Sequence, residues 1–220
     1  GAAALQGEAI YGHHTQGRYY LTKHKTEISY YKEMAELLLK KASPLMEIFR
    51  ENSMMPYHAF LQADAKTSGK RYHILSALPL QTLNSSLLED ILNQNQINKE
   101  DAQKIKTYID KKSTQIQQIL SHDMITEEFP ILSKEEFSRF PIALPLSDIF
   151  YEKNIYYTWE MYKQHLESTL NYEKTHQNYC IKQNQQSAFR NIQIRIHEKN
   201  GFLYLKTEPL QFIFSSGILK

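Results

Sequence analysis

Nine histidines, a single cysteine and an aromatic complement of 15 Tyr and 10 Phe are the side chains with the most chemistry to offer in this chain of 220 residues. Their spacing excludes more than it supports. His13, His14, His24, His58, His73, His122, His165, His176 and His197 are scattered, and the one adjacent pair points apart on an extended chain. His58 and His73 would meet across an expected hairpin as two ligands without a nearby carboxylate or thiol, fewer than a zinc site needs. Cys180 sits in the strand-like NYCIKQ and reads as a packed small hydrophobe rather than a nucleophile. One cysteine allows no internal disulfide, which fits a reducing compartment. Only 7 glycines occur, and neither G-x-G-x-x-G nor G-x-x-x-x-G-K-[ST] is among them. The backbone cradles of dinucleotide and P-loop enzymes are therefore not expected. No G-x-S-x-G elbow is present either. No catalytic residue, metal site or cofactor is expected, and the chain is not read as an enzyme.

What remains is aromatic. Tyr19-Tyr20, Tyr30-Tyr31 and Tyr156-Tyr157-Thr158-Trp159 form clusters. The last opens a helix that carries His165 two turns on, and Arg190-Asn191 stand where a strand begins. Aromatic walls with a few polar groups are the makings of a ligand cleft. Tyr156, Tyr157, Trp159, His165, Arg190 and Asn191 are accordingly the candidate ligand-binding residues, with Arg190 a planar fork suited to a carboxylate. The competing reading is packing at helix entries for the aromatics and a solvated surface position for Arg190.

The elements that must position these residues follow from periodicity. Residues 1–25 are broken by Gly7, Gly12 and Gly17 and read as a flexible arm. From Thr26, apolar residues at three- and four-residue steps (Ile28, Tyr31, Met34, Ala35, Leu38, Leu39) predict a helix. Ser43-Pro44 predicts a second helix start, with Leu45, Ile48 and Phe49 buried. The runs 57–64 and 70–77, joined by AKTSG, read as a hairpin. Helices are expected at 85–94, capped by Ser85 or Ser86, and from Asn98 to about 120, with Ala102, Ile105, Ile109, Ile116 and Ile119 as a seam. A proline-punctuated crossing segment at 127–157 precedes a helix from Thr158 to about Lys174. Strands at 178–183, 189–197, 202–206 and 210–215 complete a meander that turns at Asn200-Gly201. Within it, Ile192, Ile194 and Ile196 are expected on the buried face, with Gln193, Arg195 and His197 facing water.

The fold class expected is α+β: antiparallel hairpins and a meander packed with helices, in two α/β halves joined by a helical middle. The expected domains are an arm or linker at 1–25, a half with the helical middle at 26–126, and a helix-plus-meander half at 127–220. Lys+Arg 26 against Asp+Glu 24 leaves a net +2, too balanced for an electrostatic footprint on nucleic acid or membrane. No apolar run approaches the ~20 residues of a membrane helix, so a cytoplasmic chain is expected.

PLSDIFYEKNIYYTWEMYKQHLESTLNYEKTHQNYCI and AFRNIQIRIHEKNGFLYLKTEPLQFIF resemble the C-terminal regulatory region of Firmicutes-type helix-turn-helix transcriptional regulators. The spacing of Tyr156, Tyr157, His165-Leu166, Asn178-Tyr179 and Phe189-x-Asn191-Ile192 carries the resemblance. It implies an effector-sensing and/or dimerising domain, with a small-molecule or peptide effector, a homodimer, and DNA contact only through an N-terminal helix-turn-helix absent from this chain. A small enzyme with a dispersed active site and a protein-interaction module are the alternatives.

Overall fold

Aromatic and aliphatic residues in the first 22 positions build two antiparallel strands, β1 (Ala4–Ile10) and β2 (His13–Thr22), in register from Ala4↔Thr22 to Glu8↔Arg18, with a shift before Ile10↔His13. The flexible arm expected at 1–25 is thus a hairpin. Of its glycines, Gly12 turns the chain at φ +78°, whereas Gly7 lies inside β1 opposite Tyr19. A Cβ at Gly7 would stand 3.0 Å from the Tyr19 ring, so this glycine makes room rather than a bend. Helix α1 (Lys25–Lys41) follows, with Glu27 in its first turn and Lys40 and Lys41 in its last, as the helix dipole favours. Its predicted apolar stripe forms but buries nothing.

The computed structural model describes residues 2–10, 12–42, 47–149, 151, 153–184, 192–199, 201–206 and 211–215. The chain divides into two units, Gly1–Pro44 and Leu45–Lys220. The second holds a seven-stranded sheet: β3 (Glu47–Phe49), β4 (Arg71–Ile74), β5 (Ile125–Pro130), β6 (Tyr179–Asn184), β7 (Ile192–His197), β8 (Gly201–Lys206) and β9 (Gln211–Ser215), in the order β3-β9-β8-β7-β4-β5-β6. β4, β5 and β6 run parallel, and every other pairing is antiparallel. The helices are α2 (Met54–Lys66), α3 (Ser85–Gln94), α4 (Lys99–Leu120), α5 (Lys134–Arg139) and α6 (Trp159–Thr175). The fold is α+β.

Three expectations are corrected. Residues 57–64 lie in α2, not in a strand, because Tyr57, Leu61 and Ala65 recur at helical spacing and pack inward. Ile48 and Phe49 lie in β3 instead of a helix; residues 43–46 are outside those described. The division expected at 126/127 cuts through β5, and residues on both sides of it share one sheet. Elsewhere the local signals hold. Asn98 caps α4 by accepting the Asp101 amide at 2.8 Å, and Thr158 caps α6 by accepting that of Met161 at 3.3 Å. α3 is capped one residue early, by Asn84. β7, β8 and β9 form the meander, and Gly201 opens β8 at φ +90°.

Register decides which face is covered. Leu203, Arg195, His73, Glu127 and Ile181 form one row across β8, β7, β4, β5 and β6. Residues two steps away on the same face (Leu75, Ile125, Phe129, Tyr179) belong to the core clusters with α2, α3, α4 and α6. The helices therefore cover the face that holds Gln193, Arg195 and His197. Gln193 and His197 are buried, and Ile192, Ile194 and Ile196 are only half-buried on the other side. The polarity expected of this strand is reversed. Period two separates two faces, but only the packing partners determine which becomes the interior.

Among the described residues no helix is long and apolar enough to cross a membrane.

Candidate functional site

A cavity of about 1180 Å³ opens between the covered face of the sheet and helices α2 and α4. The Leu75–Gln81 segment and the Pro145–Ile149 segment also contribute to its wall. Apolar residues such as Phe60, Leu61, Leu75 and Leu78 supply part of the lining, and two charged clusters supply much of the rest.

The first cluster centres on Asp148, in a single helical turn at Ser147–Ile149. Its Oδ2 accepts from Arg195 Nη2 at 3.0 Å, Lys112 Nζ at 3.0 Å and the Tyr108 hydroxyl at 2.8 Å, while Oδ1 accepts from Tyr57 at 3.2 Å. Burial pushes the Asp148 carboxyl up, but Arg195 and Lys112 more than offset this and hold it well below the usual carboxylate range. Burial and the neighbouring Arg195 charge lower the Lys112 ammonium, with Asp148 opposing. Burial also penalises the Arg195 guanidinium, yet Asp148 raises it overall.

The second cluster centres on Glu127, in the middle of β5. His73 Nδ1 lies 3.0 Å from its Oε1; Gln81 donates to Oε2 at 2.9 Å and the Tyr179 hydroxyl donates to the same oxygen. A carboxylate only accepts, so His73 carries its proton on Nδ1 and offers a lone pair at Nε2. Burial lowers the His73 pKa despite Glu127. Burial pushes Glu127 up, but His73 and Tyr179 hold it below its ordinary value. The register sets Arg195 beside His73 and His73 beside Glu127, so the clusters meet across three adjacent strands.

A third set lies at the opposite end of β4. Arg71 is buried, donates to the carbonyls of Asp64, Thr67 and Gly69, and lies 3.5 Å from Asp64 and 3.7 Å from Asp123. His197 Nδ1 stands 2.6 Å from the Asp64 carboxylate. These bonds tie α2 to β4 and β7.

The residues chosen from sequence stand elsewhere. Tyr157 and His165 are buried in the core: the Tyr157 hydroxyl meets His165 Nδ1 at 2.8 Å, and His165 Nε2 lies 3.2 Å from the Pro79 carbonyl and 3.0 Å from Thr82 Oγ1. This network ties α6 to the turn after β4. Trp159 stacks on Tyr162 and meets Phe137 edge-on, as packing does. Tyr156 is exposed, its backbone held by the Asn95 amide. Arg190 and Asn191 lie outside the described residues. None of Tyr156, Tyr157, Trp159 and His165 stands on the wall of the cavity against the sheet. α6 packs on β6, with β5 and β4 between that strand and β7.

The cavity residues nevertheless leave a trace in the sequence. Along α4, Ile105, Ile109, Ile116 and Ile119 step by four, seven and three, and Lys112 occupies the inward position that would complete the seam. A lysine in a core stripe is a signal of buried chemistry. Asp148 and Glu127 carry no comparable mark, since their roles depend on strands and turns distant in sequence.

Among the described residues, no group of three or more His, Cys, Asp or Glu side chains is placed to hold a metal ion. Comparison with family models, with curated proteins and with solved structures finds no match to this chain.

Proposed function

We propose that this chain is the effector-sensing and dimerising region of a bacterial transcriptional regulator, and that the cavity against the sheet is its effector site. The resemblance of residues 145–215 to regulators supports the transcriptional context. The single observation that supports sensing is the cavity, with Lys112, Asp148, Arg195, His73 and Glu127 gathered on its walls. Replacing a buried ion group by apolar residues is often neutral or stabilising by about 1–4 kcal/mol. A charged cluster beside a cavity therefore does not earn its place through stability, and ligand recognition supplies a reason for it. An effector that prefers one arrangement of α2 and α4 over the sheet would shift that population and so transmit its presence.

The test is a thermal-shift screen of the chain against small metabolites, repeated with Gln115→Trp, which fills the cavity from α4. A ligand at a hundredfold over its Kd adds about 2.7 kcal/mol to stability. A saturable rise in melting temperature with the native chain, lost in the folded variant, is expected. A screen that is silent, or hits that the variant retains, would overturn the reading.

A second reading has one specific observation behind it. His73 is oriented by Glu127 and presents an unprotonated Nε2 in the cavity, as a general base would. Turnover of a bound compound, abolished by His73→Gln with binding retained, would favour an enzyme instead.

A further inference from the structure

We propose that the cavity holds its ligand by an anionic oxygen group, a carboxylate or a phosphate, seated on Arg195, Lys112 and Gln193, while His73 Nε2 accepts a hydrogen bond from a hydroxyl or amine elsewhere on the same molecule. This rests on the ligand-binding reading above and names the chemistry of the ligand. Around Arg195 and Lys112 the protein leaves hydrogen-bonding capacity unused. The two carboxylates at the site are already engaged, Asp148 by four donors and Glu127 by three. Asp148 receives Tyr57 on one oxygen and Tyr108, Lys112 and Arg195 on the other. Glu127 receives His73 on one oxygen and Gln81 and Tyr179 on the other.

The donors are not full. A guanidinium carries five N–H groups. Arg195 gives one to Asp148 and lies against the Tyr57 hydroxyl, which among the described residues leaves most of the fork free. An ammonium carries three N–H groups, and Lys112 uses two, on Asp148 and Tyr108. Gln193 is 4% exposed and lines the cavity, and its side-chain amide has no partner among the described residues. These donors open on the cavity, where acceptors on a ligand can meet them. Donors are thus in excess beside Arg195 and Lys112, and an anionic oxygen group supplies several acceptors at once, bidentate to the arginine. An acceptor, His73 Nε2, stands in the strand beside Arg195. Phe60, Leu61, Leu75 and Leu78 leave room for an apolar body.

Four compounds with one shared ring system separate the outcomes: naphthalene-2-carboxylate, 2-naphthyl phosphate, 2-naphthamide and 2-naphthylmethylamine. Binding to the chain is measured by calorimetry. The carboxylate or the phosphate is expected to bind at least about tenfold more tightly than the amide, with the amine weakest. Which of the two anions is preferred identifies the source of the charge. Arg195→Lys keeps the charge but loses the fork, and should weaken the preferred anion about tenfold. Because Arg195 also supports Asp148, Gln193→Leu is the second variant: it removes an amide without a partner among the described residues and should cost several-fold in affinity without lowering the melting temperature. Amide or amine binding as tightly as the anions, or anion affinity unchanged in both variants, would overturn the anionic seat and leave a ligand site standing. Failure of all four compounds to bind would overturn the seat and the ligand-binding reading together.

Discussion

His165 is the residue for which burial and protonation are most directly linked. It is 0% exposed. Burial lowers its pKa to about 4, the hydrogen bond to the Pro79 carbonyl offsetting only part of that cost. An unfolded imidazole takes its proton near pH 6.5, so between the two values the unfolded chain binds more protons than the folded one. Stability is then complete above about pH 6.5 and declines as pH falls toward 4, by about 3 kcal/mol in total. His73, also lowered by burial, acts in the same direction. Urea midpoints measured at roughly pH 7 and pH 5 should drop for the native chain and drop less for His165→Asn. A midpoint insensitive to pH across that interval would show that the imidazole is not held neutral. At this scale the sequence identified a residue that matters, Tyr157-to-His165 included, but assigned it to a ligand when it belongs to the core.

The connection between α2 and β4 illustrates how an element is placed. Gly69 has φ +153°, and a Cβ there would come within 2.6 Å of His197 Nε2. Both the backbone angle and the close approach favour glycine. Its amide donates to Asp123 at 2.9 Å, and Arg71 donates to its carbonyl at 3.0 Å, so the turn joins α2, β4 and the start of β5. Gly69→Ala should therefore destabilise by about 1–3 kcal/mol, read as a lower urea midpoint at unchanged slope. An unaltered midpoint would mean that His197 moves aside freely. AKTSG was legible as a turn with glycine at its end. The strand after it was legible too, as β4, but the element before it was not, because Tyr57 to Ala65 satisfies helical spacing where a strand was expected.

The first unit bears on the molecule as a whole. Leu38 and Leu39 on α1 are 65% and 73% exposed, and Leu5, Tyr19 and Leu21 on the hairpin are exposed as well. Large apolar side chains exposed in such number on one small unit suit an association surface, which supports the dimerising part of the proposed function. Sedimentation velocity should show a dimer, and Leu38→Glu with Leu39→Glu should return it to a monomer with an unchanged helical signal. A native chain that sediments as a monomer at high concentration would remove that part of the reading.

Features that depend on neighbours along the chain are legible in the sequence. It marked the α4 and α6 spans with their caps Asn98 and Thr158, the order of the final meander, and the absence of phosphate-cradling glycine motifs. These follow from short-range hydrogen bonding and from periods of two and 3.6 residues. Only the tertiary structure decided that β4 pairs with both β5 and β7, which sets Arg195, His73 and Glu127 side by side from positions 54 and 68 residues apart in the chain. It also decided that the polar face of β7 is the interior one. Alternation defines two faces equally well whichever is covered. The choice rests on long-range partners, Asp148 for Arg195 and Asp64 for His197, that make burial of the polar side tolerable.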